Sequence, residues 1–407
     1  MTVRAAAVAS GTIAGLNWEI WCPDTQFAAS RLDLAHSLVA GHHETSDPFA
    51  HIVDAVLARI DQSLRADQFE ADDDAARRLI ADLEVHTRQI AFFGSGLSSL
   101  SNQAAAQFQG WNIPGVGEGA QRLRPRTRIY DTCDPDTLRQ VGETLDFSRT
   151  GLIFMADAYR DTSLQQARTL LPVAQAAIGR DGLAQRLACV HGASGAMHHP
   201  ELADLIEASG GKVLTLKDAA ETFSVHGLLV GMSRGLDLMS VRAGACAVVA
   251  ALHDPVRPVL VWPALMSPVL AQSTANDDRI IIPVADRLAR FSAWACARWN
   301  IAQDASSEVR AKEDSGAAPS RMTVSPQSMC GQDPAGLGLH VGGSALVDLH
   351  GVAPTRPLAG DLAAHGHFVR QLSLSSYDAH AYGALMALME VEAGLSLRYR
   401  SRQALAT

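Results

Sequence analysis

The sequence predicts an α/β protein built on a parallel sheet with helices on both faces. Three observations carry that expectation. Five short apolar segments occur in series, each followed by a helix-like stretch. A shorter series of the same kind follows a proline-rich stretch. A glycine/serine turn joins the first apolar segment to its helix.

Residues 1–85 read as an N-terminal helical extension. Val53, Val56, Leu57, Ile60 and Leu64 fall on one helical stripe. The acidic run from Glu70 to Asp74 precedes a second helix through Leu79 and Leu83, where acids at a helix start complement its dipole. Residues 86–254 hold the main series, with strands at 89–93, 128–131, 151–156, 186–191 and 212–216. Their helices begin near Ser99, Pro135, Leu164, Pro200 and Ala219. Pro255, Pro258, Pro263 and Pro268 mark residues 255–278 as a crossover to a second, shorter domain over 279–407. That domain has strands near 279–283, 321–325, 345–348 and 368–374. One helical stripe there carries Leu288, Phe291, Ala295 and Trp299, a charged loop spans 305–320, and the last helix covers about 377–393.

The turn is Gly94-Ser95-Gly96-Leu97-Ser98-Ser99, following Ile90-Ala91-Phe92-Phe93. A strand ending in small residues before a helix leaves backbone N–H groups and hydroxyls facing one point, which suits a phosphate. Taken alone, such a turn also serves any α/β protein, since Gly gives backbone freedom and Ser caps the helix. In open α/β sheets ligands lie at the carboxyl ends of the strands, where this turn falls.

With 407 residues the chain can bury a large core, and 47% hydrophobic against 19% charged residues is the composition of a compact protein. A net charge of -9 argues against a nucleic-acid or anionic-membrane partner. Arg122, Arg124, Arg126 and Arg128 are a local exception, read as a solvated loop because Pro125 breaks any regular face. Six cysteines without ligand spacing read as reduced, mostly buried thiols of a cytoplasmic protein. His42-His43 and His198-His199 read as solvated loop histidines, so no metal is expected. No apolar span reaches membrane length, and residues 5–16 make a poor signal-peptide core.

Together several segments resemble the glucose-6-phosphate isomerase family, whose members have two sugar-isomerase (SIS) domains. Gly94 to Ser99 is similar to that family's first Gly/Ser loop, and Asp131-Thr132-Cys133-Asp134-Pro135-Asp136 to its Asn-Val-Asp-Pro segment. Phe223-Ser224-Val225, then Gly227-Leu228-Leu229 and Gly244-Ala245, resemble the helix that starts Arg-Phe-Ser-Val. Pro283, Asp286-Arg287-Leu288, Phe291, Trp294 and Trp299 resemble the opening of the second domain. The resemblance runs over about residues 85 to 395 and rests on shared order and spacing. It implies two SIS-type doubly wound domains and an aldose–ketose isomerisation of glucose 6-phosphate and fructose 6-phosphate. It also implies a place in glycolysis and gluconeogenesis, no cofactor, and a homodimer in which the apolar set Leu385, Met386, Leu388 and Met389 is either core or interface.

The chemistry transfers less well. The family's base, a Glu, falls at Ile301, two residues after Trp299, and an isoleucine cannot take a proton. The family's Arg falls at Thr222, with Ala220 and Glu221 in place of two glycines. Its Asp-Gln-His falls at Gly331-Gln332-Asp333, which keeps Gln332 alone, and its C-terminal Lys has no counterpart. Its phosphate loop falls on residues 157–163. There Thr162 and Ser163 offer hydroxyls and Arg160 a positive charge, while Asp157 and Asp161 repel a phosphate. The expected substrate-binding set is therefore Gly94, Ser95, Gly96, Ser98, Ser99, Arg160, Thr162, Ser163 and Gln332. The acid/base candidates are Glu308, Glu221, His226 and Asp333, for two of which, Glu308 and Glu221, a solvated surface Glu is the competing identity. Two readings follow: a divergent phosphosugar isomerase, and a non-catalytic sugar-phosphate-binding SIS protein.

Overall fold

The computed structural model describes residues 7–21, 48–113, 124–156, 161–217, 222–253, 279–283, 285–310, 322–324, 345–350 and 368–406. Ala14 and Gly15 both have positive φ, 48° and 83°, the two-residue turn whose twist matches its flanking strands. They fold β1 (Ala7–Ile13) back on β2 (Leu16–Trp21) as an antiparallel hairpin with Ile13 opposite Leu16. Strands thus occupy a stretch that reads as helices and loops, because no Asn-Gly or Asp-Gly marks the turn. The expected helix follows as α1 (Pro48–Ser63), and its stripe Val56, Leu57 and Ile60 is buried together with Leu64.

The chain divides into two compact units, Met1–Leu64 with Met239–Thr407, and Arg65–Leu238. The contiguous unit opens with α2 (Ala66–His86). The acidic run lies inside this helix and not before it, so part of it is core: Asp72 and Asp73 are buried, and Asp72 accepts the Lys217 main-chain N–H at 2.9 Å. Then come β3 (Gln89–Phe93), α3 (Gly96–Phe108), β4 (Arg126–Tyr130), α4 (Pro135–Thr144), β5 (Thr150–Met155) and α5 (Thr162–Ala184). β6 (Leu187–Gly192), α6 (Pro200–Ala208), β7 (Lys212–Leu216) and α7 (Val225–Ser233) complete it. The five strands are all parallel, in the order β4-β3-β5-β6-β7. The central strands β5 and β6 are buried along their whole length, as a sheet covered on both faces requires. Alternate residues Ala91, Phe93, Leu152, Phe154, Leu187 and Cys189 share one core cluster with α4, α5 and α6. Helix α7 packs against both α2 and α3, and α2 also meets β5 and β7.

Edge strand β4 is regular. Pro125 precedes it instead of interrupting it, so Arg126, Arg128 and Tyr130 alternate onto one regular face where a broken one was expected; Arg124 precedes the strand and Arg122 lies outside the described residues. The cysteine reading is corrected in part. Cys189 and Cys296 are buried, and burial pushes the Cys189 thiol up to about 12, but Cys133 and Cys246 are exposed. Cys22 and Cys330 lie outside the described residues.

The other unit continues with α8 (Leu238–His253), β8 (Arg279–Pro283), α9 (Ala289–Arg310), β9 (Met322–Val324), β10 (Ala345–His350), β11 (Phe368–Leu374) and α10 (Ala379–Ala406). Its sheet runs β1-β2-β11-β10-β8-β9, parallel from β11 to β9 and antiparallel where the hairpin joins β11. Ser375 locks that join, its N–H and Oγ donating to Gly15 O at 3.1 and 2.8 Å. A Cβ on Gly244 would run into the His380 main-chain oxygen and one on Gly383 into that of Val241, so α8 and α10 touch backbone to backbone. Phe291, Trp294 and Tyr382 form a buried aromatic cluster between α9 and α10. Leu385, Met386, Leu388 and Met389 are all buried within the single chain, which makes them core. Helix α9 also runs to Arg310, into the stretch expected to be a loop.

Candidate functional site

In the five-stranded sheet the chain passes from β3 to β4 on one side and then to β5 on the other. The loops leaving the carboxyl ends of β3 and β5 therefore diverge, and a crevice opens between them. Helix α3 starts on one bank, capped by extended Ser95, and α5 starts on the other, with Asp161 in the cap position. The banks meet at Met155. A Cβ on Gly94 would stand 3.5 Å from the Met155 oxygen, and the Ser163 hydroxyl donates to that same oxygen. Two helix N-termini, each carrying partial positive charge, thus approach one point.

The expected binding residues on these banks are held by neighbours. Ser98 Oγ donates to Ser95 O at 3.3 Å. Ser99 is buried, and its Oγ accepts from Gln103 Nε2 at 3.2 Å, so its own O–H remains a donor. Gln103 Nε2 also donates to Asp131 Oδ2 at 2.9 Å, tying the end of β4 to α3. Fully buried Gln166 donates to Tyr130 O at 3.2 Å and Thr132 O at 2.8 Å, fixing the same strand end from α5. Gly96 opens α3 at φ 66°, and Thr162 is buried at the start of α5.

Beside α5 lies a group the sequence reading missed. His199 donates from Nε2 to Asp161 Oδ1 at 3.2 Å, and His198 donates from Nδ1 to Gly192 O at 3.1 Å. The His198 ring stacks on His191, whose Nε2 bonds Thr215 Oγ1 at 3.0 Å. Burial, aided by His198 and His199, holds the His191 pKa below the ordinary histidine value. His198 and His199 lie in the loop before α6, as expected, with His198 exposed and His199 partly buried, but both rings are hydrogen-bonded. The end of β6 and the cap of α5 position them, and a protonated His199 would neutralise Asp161, the acid expected to repel a phosphate. The signal in the sequence was a strand-end His followed by His198-His199 directly before the helix-starting Pro200.

The remaining candidates lie elsewhere in the chain or outside the described residues. His226 lies in α7, fully buried, its carbonyl accepting from Asn102 Nδ2 at 2.7 Å. Glu308 belongs to the last turn of α9, in the other unit, and its side chain is outside the described residues. Glu221, Arg160, Gln332 and Asp333 also lie outside them. Ile301, on α9, is 40% exposed. Among the described residues no cluster of three or more His, Cys, Asp or Glu could hold a metal, and no helix is long and apolar enough to cross a membrane.

No family model matches the chain, and no curated protein matches it. Solved structures do. A hypothetical protein of Thermus thermophilus aligns at 16% identity with a TM-score of 0.61, over 91% of this chain and 90% of that one. A glucose-6-phosphate isomerase of Chlamydia trachomatis aligns at 13% identity with a TM-score of 0.59, over 95% and 84%. At these identities the likeness shows the fold alone, a mixed α/β fold shared with those two structures.

Proposed function

We propose that the crevice at the carboxyl ends of β3 and β5 takes a sugar phosphate, and that the chain is a divergent aldose–ketose isomerase of glucose 6-phosphate and fructose 6-phosphate. One observation carries the reading: the turn at Gly94 that leads into α3 and Ser163 in the first turn of α5 both lie against the Met155 oxygen at the end of β5. Helix dipoles and hydroxyl donors suit a phosphate dianion. Isomerisation also needs a base within hydrogen-bond reach of the carbon-bound proton. Ile301 cannot serve, so the role passes to a relocated group. Among described residues the His199–Asp161 pair stands at this edge of the sheet, and Glu308 and Glu221 are the further candidates from the sequence. Arg160, Gln332 and Asp333 complete the proposed set, in a cytoplasmic homodimer.

Calorimetric titration of both sugar phosphates tests the binding step, with a Ser98→Glu variant that places a carboxylate at the start of α3. Heat from the wild type that the variant loses supports the crevice, and equal heats from both refute it. A coupled assay on His199→Gln, Glu308→Gln and Glu221→Gln tests turnover. Loss of a positioned base lowers the rate by about a hundredfold or more, and an ordinary rate unchanged in all three overturns the assignment. The second reading, binding without turnover, is favoured by the apolar Ile301 and by Thr222 where the family has its base and its Arg. Ligand heat with no detectable reaction decides for it. Sedimentation at 43.2 kDa would refute the dimer.

A further inference from the structure

The opposite, amino-terminal edge of the same sheet carries a concentration of arginines that the sugar-phosphate reading does not use. Arg126 N donates to Arg88 O at 2.9 Å, and Arg88 N donates to Arg149 O at 2.8 Å. The backbone ladder thus brings the starts of β4, β3 and β5 together, with Arg88 and Arg149 just before the paired Gln89 and Thr150, and Arg126 opposite Gln89. Arg128, two residues along β4 on the same face as Arg126, approaches Gln89 Oε1 at 3.5 Å, and Arg124 is anchored by donating to Ser233 O at 2.9 Å. All five line one cleft of about 1040 Å³, a size that takes a small molecule.

Among the described residues the counter-charge in this cleft is short. Its carboxylates are Glu84 and Asp146. Asp146 is engaged by the Ser148 hydroxyl and N–H at 2.5 and 3.1 Å, and its approach to Arg149 is a loose 3.8 Å between exposed groups. No described carboxylate pairs with Arg88, Arg124, Arg126 or Arg128. Five guanidinium groups that cannot lose their protons therefore crowd a concave surface of a chain whose net charge is -9. Such an arrangement repels itself unless an anion joins it, and guanidinium forks suit phosphate oxygens bidentately.

We infer that this cleft binds a small soluble anion carrying two or more linked phosphate groups. The three strand starts span two interstrand spacings, about 10 Å, a width along which a phosphate chain can meet more of these guanidinium groups than a single phosphate does. The site is distinct from the proposed sugar-phosphate crevice, which lies at the other end of the same strands.

The test is calorimetric titration of the full chain with tripolyphosphate, orthophosphate, ATP and an RNA oligonucleotide. Tripolyphosphate binds one to one, at least about tenfold more tightly than orthophosphate, and raising the ionic strength weakens it. ATP binding like tripolyphosphate identifies a nucleotide as a source of the phosphate chain, and tripolyphosphate alone identifies an inorganic one. Arg88→Ala with Arg126→Ala weakens binding by about a hundredfold, as loss of two charge-assisted contacts implies. Arg149→Gln, at an exposed side chain, weakens it about tenfold should the double variant not fold. The Ser98→Glu variant keeps tripolyphosphate binding, which separates failure of this inference from failure of the proposed function. No heat, tripolyphosphate heats unchanged in the arginine variants, equal affinity for orthophosphate, or tighter binding of RNA overturns the inference.

Discussion

The Asn102 side chain bonds both members of one helical hydrogen-bond pair in α7: Val230 N donates to Asn102 Oδ1 at 2.8 Å, and Asn102 Nδ2 donates to His226 O at 2.7 Å. Val230 and His226 are the two groups that a regular helix joins to each other at i and i−4. A third bond, Nδ2 to Ser98 O at 2.9 Å, ties the same amide to the first turn of its own helix α3. The loop bank of the proposed crevice is thereby fastened to α7 by one buried side chain.

Because the amide donates to two carbonyls and accepts one N–H, its replacement by a carboxylate sets charge against oxygen. Asn102→Asp is expected to destabilise more than Asn102→Ala, by roughly 1–3 kcal/mol, the cost of unsatisfied buried polar groups. In the alanine variant Val230 and His226 can bond each other again. Thermal melts of the two variants check this, and an aspartate variant as stable as the wild type refutes it.

One turn along the same contact, a Cβ on Gly231 would stand 2.7 Å from Ala105 Cβ. Gly231→Ala should cost about 1–3 kcal/mol by overpacking. Ala105→Gly in the same chain should recover part of that loss. A double-mutant cycle measures the coupling, and strict additivity would show that α3 and α7 do not meet here.

The His191 pKa is held below its unfolded value near 6.5, chiefly by burial and next by His198 and His199. The folded chain then binds fewer protons than the unfolded one. The stability this ring contributes is complete above about pH 6.5 and is lost as pH falls toward the folded pKa. His191→Asn should therefore show a smaller drop in melting temperature between pH 7.5 and pH 5.5 than the wild type. Glu207, His198, His199 and Thr215 are common to both proteins, so equal drops would exclude His191 as the source.

The sequence was most legible where a short apolar run is bounded by turn residues or by a helix start. The strands at 89–93, 212–216, 279–283 and 368–374 fall where their composition places them, and the helix starts at Pro135 and Pro200 follow from proline's fixed φ. The β1–β2 hairpin was illegible because its pairing partner β11 is remote in sequence and its turn is Ala-Gly. The arginines were misread because one proline was weighed as a break instead of a strand boundary. At the site, the glycine/serine turn announced itself locally. The His191, His198, His199 and Asp161 constellation did not, since it arises only when the end of β6 and the cap of α5 become neighbours.

The nesting of one unit within the other along the chain also bears on synthesis. Residues 65–238 are contiguous, so every strand of the five-stranded sheet has been synthesised before residue 239 is added. The β1–β2 hairpin emerges before that unit, yet its neighbour β11 arrives only at 368–374. Its exposed strand edge must wait through the production of most of the polypeptide, the interval in which a nascent chain is most open to mispairing and to chaperones.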